Sequence, residues 1–366
     1  MKTADLETSS PIAGTLARAG EWLLNSGIQE DNGGVARFYR SDLGRNLAIS
    51  TEITGYNTSA LAYLYSATGH VNYLDRAVRT ARFLVRDAWD EAIGNFPFEY
   101  GPGAESMLYF FDCGIIARAL LCVWKLTGDE ALLDRAVACG RAMIRDFDTG
   151  TEIHPILTLP DKKPLARDWR WSRNPGCYQL KSALAWRELT AITGDREFTE
   201  AFDRHLERSL KDYRSFLPGN ENAERVMDRL HAFSYFLEAL LPSSGAEDPN
   251  RERRALALAD GIALVARYLR EIAPIFARSD VYAQLLRVRV WASEILPIDE
   301  EAAAEEAKTL ATFQMASDDP RMDGGFAFGR LRGELIPHVN PVSTAFALQA
   351  LHLWSTRKQP PLSALI

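Results

Sequence analysis

Thr51–Gly69 reads TEITGYNTSALAYLYSATG, and the rest of the chain repeats it. The stretch is an almost uninterrupted apolar helix whose first turns carry Glu52, Tyr56 and Asn57 and whose end is marked by Thr-Gly. FFDCGIIARALLCVWKLTG (110–128) and GCYQLKSALAWRELTAITG (176–194) close on the same Thr-Gly. Each of the three is followed by a more amphipathic helix. A helix apolar on nearly every side must be covered all round, whereas one with a single apolar stripe lies half at the surface. The repeated phrase therefore predicts pairs of unlike helices, one buried and one half-buried.

Working outward, three-and-four-residue apolar spacing predicts helices near 12–26, 51–68, 73–85, 110–126, 130–145, 177–192, 196–213, 229–240, 251–272, 281–294, 300–313 and 342–354. They alternate between the two kinds and pair into six hairpins. Six buried helices ringed by six half-buried ones make an all-α closed toroid, expected to be one domain over 11–356 with a frayed tail at 1–10 and a C-terminal tail at 357–366. The repeat starts lie roughly 50 to 65 residues apart, wider than common helical solenoids, so an open solenoid ranks second. The connections are unequal. Short Thr-Gly-Asp turns offer glycine for a left-handed C′ position and aspartate for the next cap. Long loops at 27–50, 86–109, 146–175 and 314–340 precede buried helices and are expected at one rim, with the helices' unpaired N–H groups. Function is expected there. In the second loop, NFPFEYGPGAES (95–106) predicts irregular chain from its Pro and Gly.

Composition narrows the classes. A chain of 366 residues, 47% hydrophobic and 25% charged, has ample material for a core. The formal charge of −7 comes with no basic tract, which argues against nucleic acid or an anionic membrane as partner. The first ten residues carry no apolar run and no segment reads as a membrane span, so a cytoplasmic address is expected by default. Cys113, Cys122, Cys139 and Cys177 sit in apolar runs without C-x-x-C spacing, as reduced buried thiols do. Phosphate-loop, dinucleotide, nucleophile-elbow and H-E-x-x-H signatures are missing, so neither nucleotide, flavin nor catalytic zinc is expected. Asp318-Asp319 alone does not make a calcium site.

Glu52-Ile-Thr-Gly-Tyr56, the Thr-Gly-Asp hairpins, His231-Ala-Phe-Ser-Tyr235 and Asn340-Pro-Val-Ser-Thr344 together give the chain a family likeness. It resembles the six-hairpin (α/α)6 toroids shared by glycoside hydrolases, unsaturated-uronide hydrolases, some polysaccharide lyases and N-acylglucosamine 2-epimerases, with prenyltransferase and terpene-cyclase toroids as cousins. It looks most like bacterial toroid proteins linked with polysaccharide metabolism. The resemblance spans essentially the whole chain and implies a carbohydrate substrate by fold analogy. Segments 24–39 and 312–329 resemble phrases of the cyclase toroids, but the Asp-x-Asp-Asp acid motif is missing, and Asp112-Cys113 does not match the zinc set of prenyltransferases.

Candidate chemistry follows from position. Glu52 and Asp112 open two buried helices one repeat apart, and paired carboxylates do glycosidic acid/base work. An acid in a first turn also complements the helix dipole without chemistry. Glu99, between Phe98 and Tyr100, reads as a third acid on a sugar-stacking wall or as part of a loop anchor. In 167–181, Asp168, Trp169, Trp171, Arg173 and Gln179 combine stacking platforms with forked donors. Cation–π loop anchoring is the alternative there. His231, with Tyr235 one turn on, is the residue an epimerase would use, and the resemblance to the 2-epimerases implies a histidine that exchanges the proton beside a carbonyl. It equally suits a satisfied core position, and His338 is its only plausible mate. Tyr56, Asn57, Arg287, Asp323 and Asn340 complete the expected substrate-binding set, with no metal ligands. A uronate or sugar phosphate would require at least two of Arg167, Arg170, Arg173, Arg287 and Arg289 to converge. The leading expectation is a hydrolase or lyase, ahead of an epimerase, a terpene-cyclase-like toroid, or a non-catalytic toroid binding glycan or protein.

Overall fold

The computed structural model describes residues 11–104, 106–241 and 249–366. The tail expected at 1–10 lies outside them. Twelve α-helices are present among the described residues: α1 (Pro11–Asn25), α2 (Thr51–Thr68), α3 (Val71–Phe83), α4 (Phe110–Thr127), α5 (Glu130–Phe147), α6 (Leu180–Thr193), α7 (Arg196–Asp212), α8 (Ala223–Ala239), α9 (Arg251–Ile272), α10 (Ser279–Ala292), α11 (Glu300–Ala311) and α12 (Pro341–Thr356). Burial alternates as the pattern requires. In α4, Asp112–Leu121 is buried without a break, while α7 buries Phe198, Ala201, Phe202, His205, Leu206, Ser209 and Leu210, one stripe at three-and-four spacing.

The helices fall into two compact units. One comprises Gln29–Arg37 and Asn46–Asp212. The other comprises Phe38–Arg45 and Tyr213–Ile366 with the described part of Met1–Ile28. In the first, α2 pairs with α3, α4 with α5 and α6 with α7. In the second, α8 pairs with α9, α10 with α11 and α12 with α1.

The three hairpins of the first unit close on the same turn. Gly69, Gly128 and Gly194 take φ of 75°, 70° and 72°, the left-handed region open to glycine, and their N–H groups reach back to Tyr65, Trp124 and Thr190. The preceding threonine works twice. Thr68, Thr127 and Thr193 donate to the carbonyls of Leu64, Val123 and Leu189, and accept the amides of His70, Asp129 and Asp195. Asp129 then caps α5.

Small residues let the buried helices approach. A Cβ on Gly55 would stand 3.3 Å from the Ile116 Cα, and one on Gly114 would stand 2.0 Å from Ser182 Oγ and 2.3 Å from its carbonyl oxygen. The Ser182 hydroxyl fills that contact by donating to the Phe110 and Phe111 carbonyls. Glu52 and Asp112 lie within one turn of these crossings, so the tight packing brings their helix starts together.

The long loops are not irregular throughout. Ile49–Ser50 pairs antiparallel with Glu99–Tyr100, and Met107–Tyr109 pairs with Ile156–Thr158. The Pro- and Gly-containing loop thus carries two short strands, because its extended stretches find partners in other loops. The start of α8 also differs from the expected one. Asn222 caps it by accepting the Arg225 amide, so the helix begins at Ala223 and His231 stands about two turns inside it. The C-terminal segment expected as a tail folds against the second unit: Leu362–Ala364 forms a 3-10 turn and Leu365 and Ile366 are buried.

Candidate functional site

In the first unit, segments of three loops converge on the starts of α2 and α4. Val35 donates to Thr54 Oγ1 at 2.9 Å and Arg37 to the Ala48 carbonyl at 2.9 Å. From the next loop, the Pro97 and Phe98 carbonyls take the Thr51 hydroxyl at 2.8 and 3.2 Å. Phe98 in turn donates its amide to Met107, and Phe110, the first residue of α4, donates to Pro155. Backbone pairing and the Thr51 and Thr54 hydroxyls therefore place Arg37, Phe98 and Glu99 beside the first turns of α2 and α4.

The side chains complete the arrangement. The Arg37 guanidinium sits 5.1 Å over the Phe98 ring and donates to Glu99 Oε1 at 3.1 Å. Phe98 packs on Tyr109 with ring centroids 4.8 Å apart. Glu52 is half-buried and Asp112 is 3% exposed. Neither makes a salt bridge among the described residues, and Asp112 Oδ2 is buried without a hydrogen bond. Burial pushes Glu52 up to about 7, opposed by the charge of Arg37. Burial, and then the charge of Glu52, holds Asp112 well above the ordinary carboxylate range. Each acid is therefore poised to keep a proton, and the two feel one another.

A second cluster stands in the other unit. His231 Nδ1 lies 2.8 Å from Gln284 Oε1 and 3.4 Å from Asp280 Oδ2, with the Tyr235 ring 4.5 Å away at a steep angle. Arg278 grips Asp280 through two bonds, at 2.9 and 2.5 Å, and reaches Asp228 at 2.7 Å. Burial first, then Arg278, lowers His231 to about 4 despite Asp280, so its ring is neutral near pH 7. Gln284 Nε2 is buried with no partner. His338 is stacked on Phe38, and no contact joins it to His231 among the described residues.

Several expected binding residues have other employment. Arg287 does not reach any surface: it is wholly buried, paired with Glu238 and bonded to Gln349. Arg289 is bidentate on Glu306. Gln179 bridges the Gly176 amide and the Ile153 carbonyl at 1% exposure. Asn340 caps α12 by accepting from Val342 and Ser343. Asp323 pairs with Arg18 and accepts the Ser317 amide. Asp168 is held by Arg170 and Arg173, and Arg167 by Glu152. Every arginine proposed to gather round an anionic sugar is thus matched by a carboxylate. Asn57 is fully buried with both amide atoms unpartnered, and Tyr56, the residue before it in α2, is buried as well. Trp169 is 61% exposed, and Trp171 packs on Tyr178 at 5.0 Å.

Arg37, Asp280 and Arg278 escape the sequence reading. Asp280 was findable, since it occupies the first turn of a buried helix as Glu52 and Asp112 do. Arg37 pairs across 62 residues and leaves no local sign.

No protein-family model matches the chain, and no curated protein sequence does. Solved structures are similar. A sugar epimerase from a ruminal bacterium superposes with a TM-score of 0.68 at 10% identity, covering 94% of this chain and 100% of that one. Cellobiose 2-epimerase from Spirochaeta thermophila superposes at 0.67 and 13% identity, covering 94% and 99%. Unsaturated glucuronyl hydrolase from Streptococcus agalactiae superposes at 0.62 and 10% identity, covering 99% and 98%. The fold is the (α/α)6 toroid. At these identities the likeness carries the fold alone. Among the described residues no helix is long and apolar enough to cross a membrane, and no cluster of three or more His, Cys, Asp or Glu could hold a metal.

Proposed function

We propose that the protein is a carbohydrate-active enzyme, a glycoside hydrolase or a lyase, in which Glu52 and Asp112 share the proton-transfer work. One observation carries the reading: two carboxyl groups at adjacent helix starts, neither neutralised by a salt bridge, are both raised above the ordinary carboxylate range by burial, and the charge of Glu52 raises Asp112 further. A pair retaining one proton between them offers an acid and a carboxylate at once. In a hydrolase the acid gives its proton to the glycosidic oxygen as the C–O bond breaks. The carboxylate then deprotonates the attacking water or attacks the sugar carbon itself. In a lyase the carboxylate removes the proton beside the sugar's carboxyl group while the acid protonates the leaving oxygen. Tyr109, half-buried against Phe98, supplies the stacking face, and Glu99 anchors Arg37 over the Phe98 ring. Solved toroids of this fold bear the names of sugar enzymes, which supports the substrate class. The pairing of Arg167, Arg170, Arg173, Arg287 and Arg289 with carboxylates favours a neutral sugar, and with it hydrolysis.

The test is a panel of neutral and uronic oligosaccharides, scored by thermal shift for binding and by new reducing ends or unsaturated products for turnover. A ligand at a hundred times its dissociation constant stabilises by roughly 2.7 kcal/mol, several degrees in a domain of this size. Glu52→Gln should keep the shift and lose at least about a hundredfold in turnover. Undiminished turnover would remove the pair from the chemistry.

A second reading has its own observation. The Nδ1 of His231 is occupied by Gln284 and Asp280, which leaves Nε2 of a neutral ring as a base for proton exchange beside a sugar carbonyl, as in an epimerase or isomerase. Incubation of candidate aldoses in D2O separates the two: exchange of the sugar's C2 hydrogen that His231→Gln abolishes selects this reading, and glycosidic products without exchange exclude it.

A further inference from the structure

The chain has eight tryptophans, and seven are buried or half-buried. Trp169 alone stands out into solvent, at 61% exposure. An indole is among the side chains best suited to stack on a ligand, and the Arg170 guanidinium lies 6.0 Å from the centre of this one. Its loop is built to hold it still. Asp168 accepts the Arg170 amide at 2.9 Å and its Nε at 2.9 Å, and Arg173 at 3.2 Å. Asn174 ties the same turn from the other side, donating to the Asp168 and Arg170 carbonyls at 2.7 Å each. Trp171–Arg173 is a 3-10 turn.

From this loop, ring contacts run to the start of α4. Trp171 packs on Tyr178 at 5.0 Å, and Tyr178 on Phe111 at 6.3 Å, the residue before Asp112. Beside that line Tyr109, which directly precedes α4, packs on Phe98 under Arg37. These contacts lead from the Trp169 loop to the first turn of α4, which carries Asp112, and every residue in them belongs to one compact unit.

We infer that Trp169, on its Asp168–Arg170–Arg173 frame, is a distal subsite for a further sugar of the same chain, so that the substrate is a neutral oligosaccharide of at least three residues. The indole gives the apolar face of a pyranose a flat partner, and the flanking carboxylate and guanidinium groups bond its hydroxyls. The inference rests on the acid pair being where the bond is broken, and it adds the length of chain the site reads.

The probes are cello-, xylo-, manno- and malto-oligosaccharide ladders from one to six residues. They are titrated by calorimetry and by tryptophan fluorescence against wild type, Trp169→Ala and Trp169→Phe. In wild type, affinity for one ladder should climb with length and then level off. Trp169→Ala should remove about threefold to tenfold of the affinity for the longer members and nothing from the shortest, with Trp169→Phe between them. Equal losses at every length, a climb that survives Trp169→Ala, or no binding by any ladder would each overturn the inference. So would a change of oligomeric state in Trp169→Ala by sedimentation, which would make the indole a contact between copies. Length-dependent binding that Trp169→Ala abolishes, beside undiminished turnover in Glu52→Gln, would refute the acid pair and leave the subsite standing.

Discussion

The proton held by Glu52 has a thermodynamic signature that needs no substrate. In the unfolded chain this carboxyl has its ordinary value of 4.5, and in the folded protein burial raises it to about 7. The folded state therefore binds the proton more tightly. Below the unfolded value both states are protonated and the group is neutral to stability. As pH climbs from about 4.5 to 7, the unfolded chain ionises first, and folding loses stability along the way. Above the folded value the loss is complete, at about 3 kcal/mol, since each unit is worth about 1.4 kcal/mol. Glu52→Gln keeps the shape and cannot ionise. Its stability relative to wild type should rise by about that amount between pH 4.5 and pH 8.5. The constant cost of an enclosed amide cancels in that difference. Asp112 adds to the gain, because it loses the Glu52 charge that helps to raise it. Urea denaturation of both proteins across the pH range reads the difference directly. A gap that stays flat, or that opens toward low pH, would show Glu52 to be solvated or ion-paired, and the reasoning behind the acid pair would fall with it.

Other outcomes follow from the packing. Gly114→Ala drives a methyl group into the Ser182 backbone at 2.3 Å and should cost about 1 to 3 kcal/mol by urea denaturation, whereas an unchanged midpoint would mean that α4 and α6 are not pressed together there. Glu238→Gln strands the buried Arg287 charge and should cost about 3 to 5 kcal/mol, while the double change Glu238→Leu with Arg287→Met should cost far less; equal losses would contradict a desolvated pair. Asn340→Ala removes the α12 cap and should lower stability by about 0.5 to 2 kcal/mol while leaving turnover of any identified sugar intact, an outcome that a substrate-binding role would reverse.

The helical frame was legible because its signals are local. Thr68-Gly69, Thr127-Gly128 and Thr193-Gly194 close their turns with bonds that span four residues or fewer, so composition and spacing record them. The all-apolar runs of α2 and α4 record their burial in the same way. The start of α8 was misplaced because its first turns are charged and its cap, Asn222, follows another polar run. The strands at Ile49–Ser50 and Glu99–Tyr100 are two residues long and exist only through each other, so neither segment announces itself alone. For the site, position in a first turn was the informative signal. It pointed to Glu52 and Asp112, and applied evenly it would have reached Asp280. It could not reach Arg37, whose neighbours come from another loop, or separate Arg287 and Gln179, which serve the interior, from residues open to a ligand.

The contrast between the two ends of the buried helices carries a consequence for how the molecule assembles. At the Thr-Gly ends each turn is complete within a hairpin, so α2 with α3, or α4 with α5, can form from short-range contacts alone. At the other ends, Ile49 must find Tyr100 and Met107 must find Thr158, each about fifty residues away along the chain. Contacts of long sequence separation carry the larger closure cost and are made late. The loops that present Glu99 and Phe98 should thus be the last part of their unit to order and the first to open, exchanging their amide hydrogens while the hairpins behind them remain protected.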